Sequence, residues 1–406
     1  MNKRIKISIA VLAIALNSFA ASIETDRPWY LAGETMKVSI TTDNALIAYA
    51  ELCDTHSLSA GCIISIYGGK GDGIIELPSY LHSGYYVLSV YTRDNSNVSN
   101  QLVAIINPLH KSKDDDIEWV SGNNSMATSV GFADLVNKKD VDVRETEGHI
   151  IKARIKNGGQ VFKSDQIRPS LSIIGKQIHY FEGKMANDSI AIFYTYGING
   201  KQPLVLSAVT HTDTSLPIEI ISPFEALIPK KLPHLVFHYN RSEIEARSIE
   251  MQRQHLVKEE QEDDTQSAIV PLDYDDTVFG SKPVQTYNLD EYRQFQTIRE
   301  VLLEYVIFVS KRKVKGVPQL FVSLEQAPNV NSWPSLVLID GMPITNIERL
   351  MNYDARRIHH INIYGGQYTF GYGEFNGILS FVTRSGLLTN YPIEPNMQYL
   401  VYDFPK

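Results

Sequence analysis

The chain has 406 residues, 43% of them hydrophobic and 21% charged, which excludes a wholly disordered chain. That length predicts roughly two to four domains at ~150 residues each. Twenty-five glycines are too few for a collagen repeat, and the 22 Tyr and 15 Phe favour strands. A net charge of −8, without a basic block, argues against a nucleic-acid partner.

The first twenty residues have the pattern of a signal peptide. Three basic side chains occur within the first six positions, residues 7–16 are apolar, and small residues, Ser18 and Ala20, precede the expected cleavage site. The alternative is a membrane anchor, but the apolar run is shorter than the ~20 residues of a spanning helix. Residues 1–20 are therefore predicted to be a cleaved signal that directs export.

Residues 22–108 are predicted to form one β-sandwich. Apolar and polar residues alternate at 36–42 and 85–91, and turn residues separate short runs of this kind. The alternation predicts that the following residues, or their neighbours, face the core: Val38, Ile40, Val87 and Val90.

This segment contains the two cysteines of the chain, Cys53 and Cys62. They stand near the facing ends of two strand-like runs, 45–52 and 63–67, so the stretch between them is interpreted as a hairpin loop. In an exported protein the pair is a disulfide candidate, and closing the loop would stabilise the fold by ~2–3 kcal/mol. The alternative is two buried free thiols.

The same segment resembles a known family at both of its ends. The residues at 24–28 (ETDRP), followed by Tyr30, Gly33 and Glu34, resemble the opening of a macroglobulin-type immunoglobulin-like domain, and residues 77–86 resemble its end. The resemblance implies the fold. It does not imply protease trapping, because the Cys-Gly-Glu-Gln thioester motif is absent from the sequence.

The strand pattern returns in residues 113–232, which are predicted to form a second β-sandwich. Its best runs are 148–155, 170–174, 190–196 and 204–208. Residues 233–277 are rich in charge and are predicted to be a helical or disordered connector. The acidic run at 259–264 is interpreted as a solvated linker in preference to a calcium site, since it lacks EF-hand spacing.

Residues 278–388 are predicted to form a smaller α+β module. Apolar residues recur at helical spacing between residues 289 and 306, where Asp290 is the expected cap. A buried strand at 336–339 leads into a turn at 340–344, and further strands are predicted at 358–363 and 378–383.

This module resembles the plug domain of TonB-dependent outer-membrane receptors. Three ordered motifs carry the resemblance: L-x-x-x-D-G-x-P, I-x-x-I-x-V, and an ending of the Y-G…G-x-I-x-[IF]-x-[ST] type. The motif residues in this chain are Asp340, Gly341, Pro343, Ile358, Ile361, Gly373, Gly377, Thr383 and Gly386. The order of the domains resembles a group of exported proteins of Bacteroidota-like bacteria.

The sequence departs from the receptor pattern in two ways. Residues 364–367 are YGGQ where receptor plugs usually carry Arg-Gly-Pro, which puts a contact to a barrel wall in doubt. Only twenty residues follow Gly386, whereas a barrel needs at least about eight strands of ~9–11 residues. Residues 389–406 are therefore predicted to be a tail, and the chain is not expected to be the transporter itself.

Several further residues are candidates for interaction or modification. Tyr368, Tyr372 and Phe375 are docking candidates, expected to remain exposed or to lie at an interdomain or intersubunit contact. The alternative is that these rings fill the core of the module. Ser189 and Thr277 match the D-[ST]-apolar pattern of periplasmic O-glycosylation. The alternative is that both residues are unmodified, because a three-residue pattern often occurs by chance.

Other sequence features are weaker. The apolar stretch at 268–272 is interpreted as a tether of the linker in preference to a segment that pairs with TonB by strand addition. His359 and His360 are adjacent, so on a regular strand they point to opposite faces and make a poor metal pair. His211 is not predicted to be a catalytic base, because the sequence contains no Gly-x-Ser-x-Gly nucleophile motif.

The sequence therefore predicts a mainly β chain, with two immunoglobulin-like β-sandwiches followed by a plug-like α/β domain. The function predicted is that of a non-enzymatic envelope protein, a binding or assembly subunit of an unidentified outer-membrane barrel or receptor complex. No catalytic residue, metal ligand or cofactor is predicted. The alternative is a carbohydrate-binding protein or enzyme that feeds a transporter. The expected location is the periplasm, the outer membrane or the cell surface.

Overall fold

The computed structural model describes residues 22–42, 45–95, 98–128, 130, 138–156, 162–175, 178–212, 214–267, 277–291, 295–314, 316–323, 334–386, 388 and 391–406, with the backbone alone for 258–267. The predicted signal peptide and the apolar stretch at 268–272 lie outside the described residues.

Strands dominate the described chain. In chain order they are β1 Ser22–Thr25, β2 Trp29–Leu31, β3 Thr35–Thr41, β4 Ile47–Cys53, β5 Leu58–Ser65, β6 Lys70–Glu76, β7 Gly84–Tyr91, β8 Ser99–Ile106, β9 Ile117–Ser121, β10 Met126–Ala127, β11 His149–Ile155, β12 Ile167–Ile173, β13 His179–Glu182, β14 Lys184–Met185, β15 Ile190–Thr195, β16 Gly200–Thr210, β17 Ile218–Ile220, β18 Leu235–Tyr239, β19 Gln285–Asn288, β20 Val309–Val314, β21 Val317–Val322, β22 Leu336–Ile339, β23 Met342–Pro343, β24 Ile358–Phe370, β25 Gly373–Thr383 and β26 Gln398–Phe404. The α-helices are α1 Arg241–Ser267, α2 Ile298–Glu304 and α3 Ile347–Met351.

The first sandwich packs the sheet β1-β3-β6 against the sheet β2-β8-β7-β4-β5. Its pairs are antiparallel except β2 with β8, which run parallel. Val38, Ile40 and Val90 lie in the core between the sheets, as predicted. Val87 is also buried, but it alternates with Tyr86 and faces the other side of β7.

The two cysteines do not form the disulfide that the sequence suggested. Both are free thiols. They lie on the neighbouring strands β4 and β5, but Cys62 pairs with Ala50 while Cys53 pairs with Leu58, three positions further along the hairpin. At ~3.3 Å per residue this offset exceeds the reach of a disulfide. The hairpin is present as predicted, but its register keeps Cys53 and Cys62 too far apart for a disulfide bond.

The described part of the predicted connector, residues 233–267 and 277, contains a strand and a helix. Strand β18 lies between β9 and β10 in a small separate sheet, and its Leu235 and Phe237 pack against the first sandwich. Helix α1 follows, with Met251 buried against the same surface. Arg247 stacks over Trp29 at 3.7 Å and contacts the Glu34 carboxylate, which holds the helix to the sandwich.

The second sandwich packs the sheet β14-β15-β11-β17 against the sheet β13-β12-β16-β26. Its last strand, β26, comes from the segment predicted as a tail and pairs antiparallel with β16 from Gly200 to Leu206. The C-terminal module is therefore inserted in sequence between two neighbouring strands of one sheet. A local pattern does not indicate such a remote partner.

The C-terminal module is built on the mixed sheet β19-β24-β25-β22-β23 with helices α2 and α3 and the hairpin β20–β21. Helix α2 begins later than predicted: Thr297 caps it, together with the reciprocal Glu300 side chain. The predicted cap, Asp290, instead forms ion pairs with Arg384 and His359. The chain is thus mainly β, with two β-sandwiches and a smaller α+β module.

Candidate functional site

The C-terminal module packs on the outer face of the second sandwich, and most of the motif residues converge at or near this contact. Val205 of β16 and Ile174, which directly follows β12 of the same sheet, lie inside the core of the module. Because strand residues alternate between faces, the same sheet contributes its other face to the core of the sandwich. The two cores therefore cover both sides of the sheet around β12 and β16, whereas Tyr399 and Val401 on the outer face of the edge strand β26 stay exposed.

Asp340 holds the turn between β22 and β23. Its buried carboxylate accepts hydrogen bonds from the Thr383 amide at 2.8 Å, the Thr383 hydroxyl at 2.5 Å and the Leu388 amide at 2.6 Å. Burial raises the pKa of Asp340, and the hydrogen bonds from Thr383 oppose that rise. Asp340 has a φ of 47°, a conformation that Asp tolerates better than most residues. The first and third motifs of the module therefore meet through this carboxylate.

The same turn contacts the second sandwich. The Gly175 amide donates to the Asp340 carbonyl at 3.1 Å. A Cβ on Gly341, whose φ is +91°, would lie 2.9 Å from the Ile173 carbonyl oxygen. The glycine of the motif thus permits a close approach between two parts of this chain.

The remaining motif residues are structural in this molecule. Ile358 and Ile361 are fully buried in the core of the module, and Gly377 and Gly386 have positive φ. Pro343 ends the short strand β23, which pairs with β22.

The tip of the β24–β25 hairpin is a second contact with the sandwich. The Tyr372 amide donates to the Glu182 carbonyl at 3.1 Å. A Cβ on Gly371 would lie 2.3 Å from that same oxygen, and a Cβ on Gly373 would meet the Glu182 side chain at 2.4 Å. Two glycines therefore bring the tip into backbone contact with β13.

The three docking candidates have different environments. Phe375 is 6% exposed and meets Tyr180 of the sandwich edge to face at 5.7 Å, so it lies at an interdomain contact. Tyr368 is partly buried and its hydroxyl contacts Ser281 at 3.0 Å. Tyr372 is 56% exposed, with the Lys184 ammonium 5.7 Å from its ring centre. Of the three, Tyr372 presents the most surface.

A small cleft of about 100 Å³ opens between the two units beside this contact. The sandwich contributes Arg168, Glu182 and a pair of hydroxyls, Ser170 and Ser207, whose oxygens are 2.6 Å apart. Burial raises the pKa of Glu182, and the charge of Arg168 opposes the rise. The module contributes Gln319, whose buried Oε1 accepts no hydrogen bond from the described residues. The cleft is small beside ligand pockets of ~300–1,000 Å³.

The sequence analysis missed a buried polar cluster between the two sandwiches. The Tyr49 hydroxyl donates to the Glu145 carboxylate at 2.8 Å and accepts from Arg93 Nε at 2.7 Å. His149 contacts Glu145 through Nδ1 at 3.1 Å and the Tyr402 hydroxyl through Nε2 at 2.7 Å. The i, i+4 spacing of Glu145 and His149 is the one local signal, and it does not identify the remote partners, which lie on β4, on β26 and in the turn after β7.

Burial shifts the titration of this cluster. Burial lowers the pKa of His149, and Glu145 opposes that shift through its hydrogen bond and its charge. Burial raises the pKa of Glu145, but the hydrogen bond from His149 and the charge of Arg93 together bring it below its usual value. A neutral His149 therefore carries its proton on Nδ1, because an ionised carboxylate only accepts. The cluster joins the sandwiches by hydrogen bonds rather than by apolar contact alone.

The other candidate residues lie on the surface. Ser189 and Thr277 are both exposed, as the modification hypothesis requires, and Asp276 lies outside the described residues. His211 is exposed, and its Nε2 is 2.6 Å from the Asp165 carbonyl. The expectation that His359 and His360 point apart is wrong: their Nδ1 atoms are 2.8 Å apart.

No group of three or more His, Cys, Asp or Glu side chains among the described residues is arranged to hold a metal ion. In the part of the chain that the structure describes, no helix combines the length and the apolar character of a membrane span.

Comparison with known proteins identifies no family. No family model matches the chain, and no curated protein matches it. Among solved structures, the trypsin-activated α2-macroglobulin of Escherichia coli is 9% identical, with a TM-score of 0.21 over 51% of this chain and 16% of that one. The methylamine-reacted α2-macroglobulin of Salmonella is 9% identical, with a TM-score of 0.20 over 54% and 15%. A biofilm-associated protein BSP domain is 8% identical, with a TM-score of 0.18 over 54% and 29%.

The matched regions span less than a third of each of these solved chains. Their TM-scores are too low to establish a shared fold. The β-sandwich assignment therefore rests on the sheets of this chain.

Proposed function

We propose that this chain is a non-enzymatic envelope protein, a binding or assembly subunit associated with outer-membrane, TonB-dependent receptor-like machinery. In this proposal residues 1–20 direct export, residues 22–108 are a macroglobulin-type domain, and residues 278–388 are a plug-like domain. The protein acts in the periplasm or at the outer membrane, and its partner is a barrel or receptor complex.

The observation that carries the proposal is the hydrogen bonding of Asp340 to Thr383. These residues belong to the first and third plug-like motifs and are separated by 43 positions, yet one carboxylate joins them. This supports the idea that the motifs form one unit. Several glycines of that unit serve contacts within the chain, which leaves the exposed Tyr372 at the hairpin tip as the leading candidate for contact with a partner.

Recovery of the tagged protein from solubilised outer membranes, followed by mass spectrometry, tests the proposal. We expect a receptor-like outer-membrane protein to be recovered in near-stoichiometric amount with the wild type, and less of it with Tyr372→Ser. Tyr80→Ser is the matched control, because Tyr80 is 78% exposed on the first sandwich. Recovery of the chain without any outer-membrane protein would contradict the proposal.

A second candidate function, carbohydrate binding or processing for a transporter, is supported by the cleft that contains Arg168 and Glu182. The size of the cleft limits a ligand there to one small polar group. Binding to outer-membrane glycans that is lost in Arg168→Ala, without recovery of a protein partner, would favour this second function.

A further inference from the structure

Strand β24 contains a β-bulge at His359. Ile358 pairs with Thr383 and His360 pairs with Val382, so His359 is an extra residue without its own partner on β25. A bulge turns the extra side chain out of the regular alternation, and bulges recur where a side chain must be re-aimed. For this reason His359 and His360 point to the same side, although they are adjacent in sequence.

The two imidazoles share a hydrogen bond between their Nδ1 atoms, and the separation of these atoms is short enough for one metal ion to replace the shared proton. Their Nδ1 atoms are 2.8 Å apart, and both side chains are partly exposed. Nitrogens at this separation that each lie ~2.0–2.1 Å from one ion subtend an angle of about 85–90° at it. That angle suits neighbouring positions of a square-planar or tetragonal ion, whereas a tetrahedral Zn²⁺ prefers a wider one.

Asp290 lies next to His359 on the side of the ring away from His360. Its Oδ2 lies 3.6 Å from His359 Nε2, and its Oδ1 contacts Arg384 Nη2 at 2.5 Å, which holds the carboxylate in place. At 3.6 Å the carboxylate forms no hydrogen bond with His359, but its negative charge favours the proton on the near nitrogen, Nε2, and leaves Nδ1 as the ligand.

The neighbouring chain fixes this arrangement. The Leu289 amide donates to the His359 carbonyl at 2.9 Å, and Asn288 pairs with His360 across the sheet. The segment that contains Asp290 is thereby anchored to the bulge by backbone contacts.

We propose that His359 and His360 chelate one divalent copper ion through their Nδ1 atoms. No third His, Cys, Asp or Glu of the described residues completes the site, so water occupies the remaining positions. Cu²⁺ is the ion of choice because imidazole suits it, its geometry matches the bite, and it binds such sites most tightly among the divalent first-row metals. Asp290 is a positioning residue that acts through His359.

The test uses the purified full-length protein without a polyhistidine tag at pH 7.5. Titration calorimetry with Cu²⁺ and X-band electron paramagnetic resonance should show one site with two nitrogen ligands. His359→Ala and His360→Ala should each weaken binding at least about tenfold. Asp290→Asn should weaken it by a similar factor while the two-nitrogen signature persists. Melting temperatures without metal establish that each variant is folded.

The control removes two exposed histidines elsewhere, His56 and His110, and should leave the site unchanged. Zn²⁺ should bind more weakly than Cu²⁺. Wild-type affinity and stoichiometry in a folded protein that carries both His359→Ala and His360→Ala would overturn the proposal, as would equal losses in the His56 and His110 control.

Discussion

Thr383 donates both its backbone amide and its hydroxyl to the carboxylate of Asp340, at 2.8 and 2.5 Å. The two residues come from opposite ends of the motif-bearing part of the C-terminal module. Their contact closes the β22–β23 turn on the end of β25, and the Asp340 carbonyl accepts from Gly175 of the second sandwich. The side chain of Asp340 therefore joins two parts of the module, and its backbone carbonyl holds the turn against the neighbouring domain.

Removal of the Asp340 carboxylate should destabilise the protein. Asp340→Ala leaves three donors in buried surroundings without an acceptor, and we expect the free energy of unfolding to fall by about 2–4 kcal/mol in urea titrations. Asp340→Asn keeps one acceptor oxygen, and Asn also tolerates a positive φ. The free energy of unfolding should therefore fall by less in this variant. Asp114→Ala, at an exposed loop position, is the control and should be near neutral. Equal stability of all three variants would contradict the role of the carboxylate.

His149 should make the stability dependent on pH. Its pKa is lowered in the folded state, so the unfolded chain binds more protons below its ordinary pKa of ~6.5. The free energy of unfolding should therefore fall between about pH 7 and pH 5, by up to about 1.4 kcal/mol per pH unit. The lowered pKa of Glu145 adds a loss at lower pH, since its stabilisation disappears as the carboxylate is protonated.

The measurement is a series of urea titrations at pH 7, 6 and 5. His149→Gln should flatten the slope, because Gln does not titrate in this range. His56→Gln, at an exposed histidine, should retain the wild-type slope. An unchanged slope in His149→Gln would assign the pH dependence to other groups.

The hairpin tip should not tolerate a side chain at Gly371. Gly371→Ala places a Cβ 2.3 Å from the Glu182 carbonyl oxygen, and we expect a loss of at least about 2 kcal/mol. Gly197→Ala is a matched control, with a similar positive φ and nothing within 4 Å of its Cβ, and should cost about 1 kcal/mol. Thermal melts compare the two. Equal losses would show that backbone strain, and not the contact with β13, sets the cost.

The aromatic docking candidates should separate into two classes. Phe375→Ala removes a buried ring that packs on Tyr180 and should cost about 3–5 kcal/mol. Tyr372→Ala, at an exposed ring, should change stability by no more than about 1 kcal/mol. Chemical unfolding distinguishes them. A near-neutral Phe375→Ala would mean that the interdomain contact contributes little to folding.

Both cysteines should be measurable as thiols. Burial raises the pKa of Cys53 and that of Cys62 to about 12, so alkylation at neutral pH should be slow in the folded protein. Unfolding without a reductant should allow two labels per chain, counted by mass spectrometry. A protein that takes up no label until a reductant is added would contain the disulfide that the register excludes.

Local sequence patterns were sufficient to predict many of the strands of this protein and one of its turns. Alternation at period two located the strands around Val38 and Ile40, because a strand with one buried face must repeat every second residue. The Asp340–Gly341 pair marked its turn, because these residues accept positive φ. Local rules of this kind predicted the mainly β class and both sandwiches.

Contacts between residues that are remote in sequence could be identified only from the three-dimensional fold. Strand β26 pairs with β16 although almost two hundred positions separate them in the sequence. The offset of Cys53 from Cys62 and the bulge at His359 are matters of register, which depends on the whole sheet. Burial of Phe375 likewise requires a ring from the second sandwich. A local sequence pattern reveals the periodicity of a single strand. The partner of that strand, its register and the burial of its side chains depend on a second element of the fold.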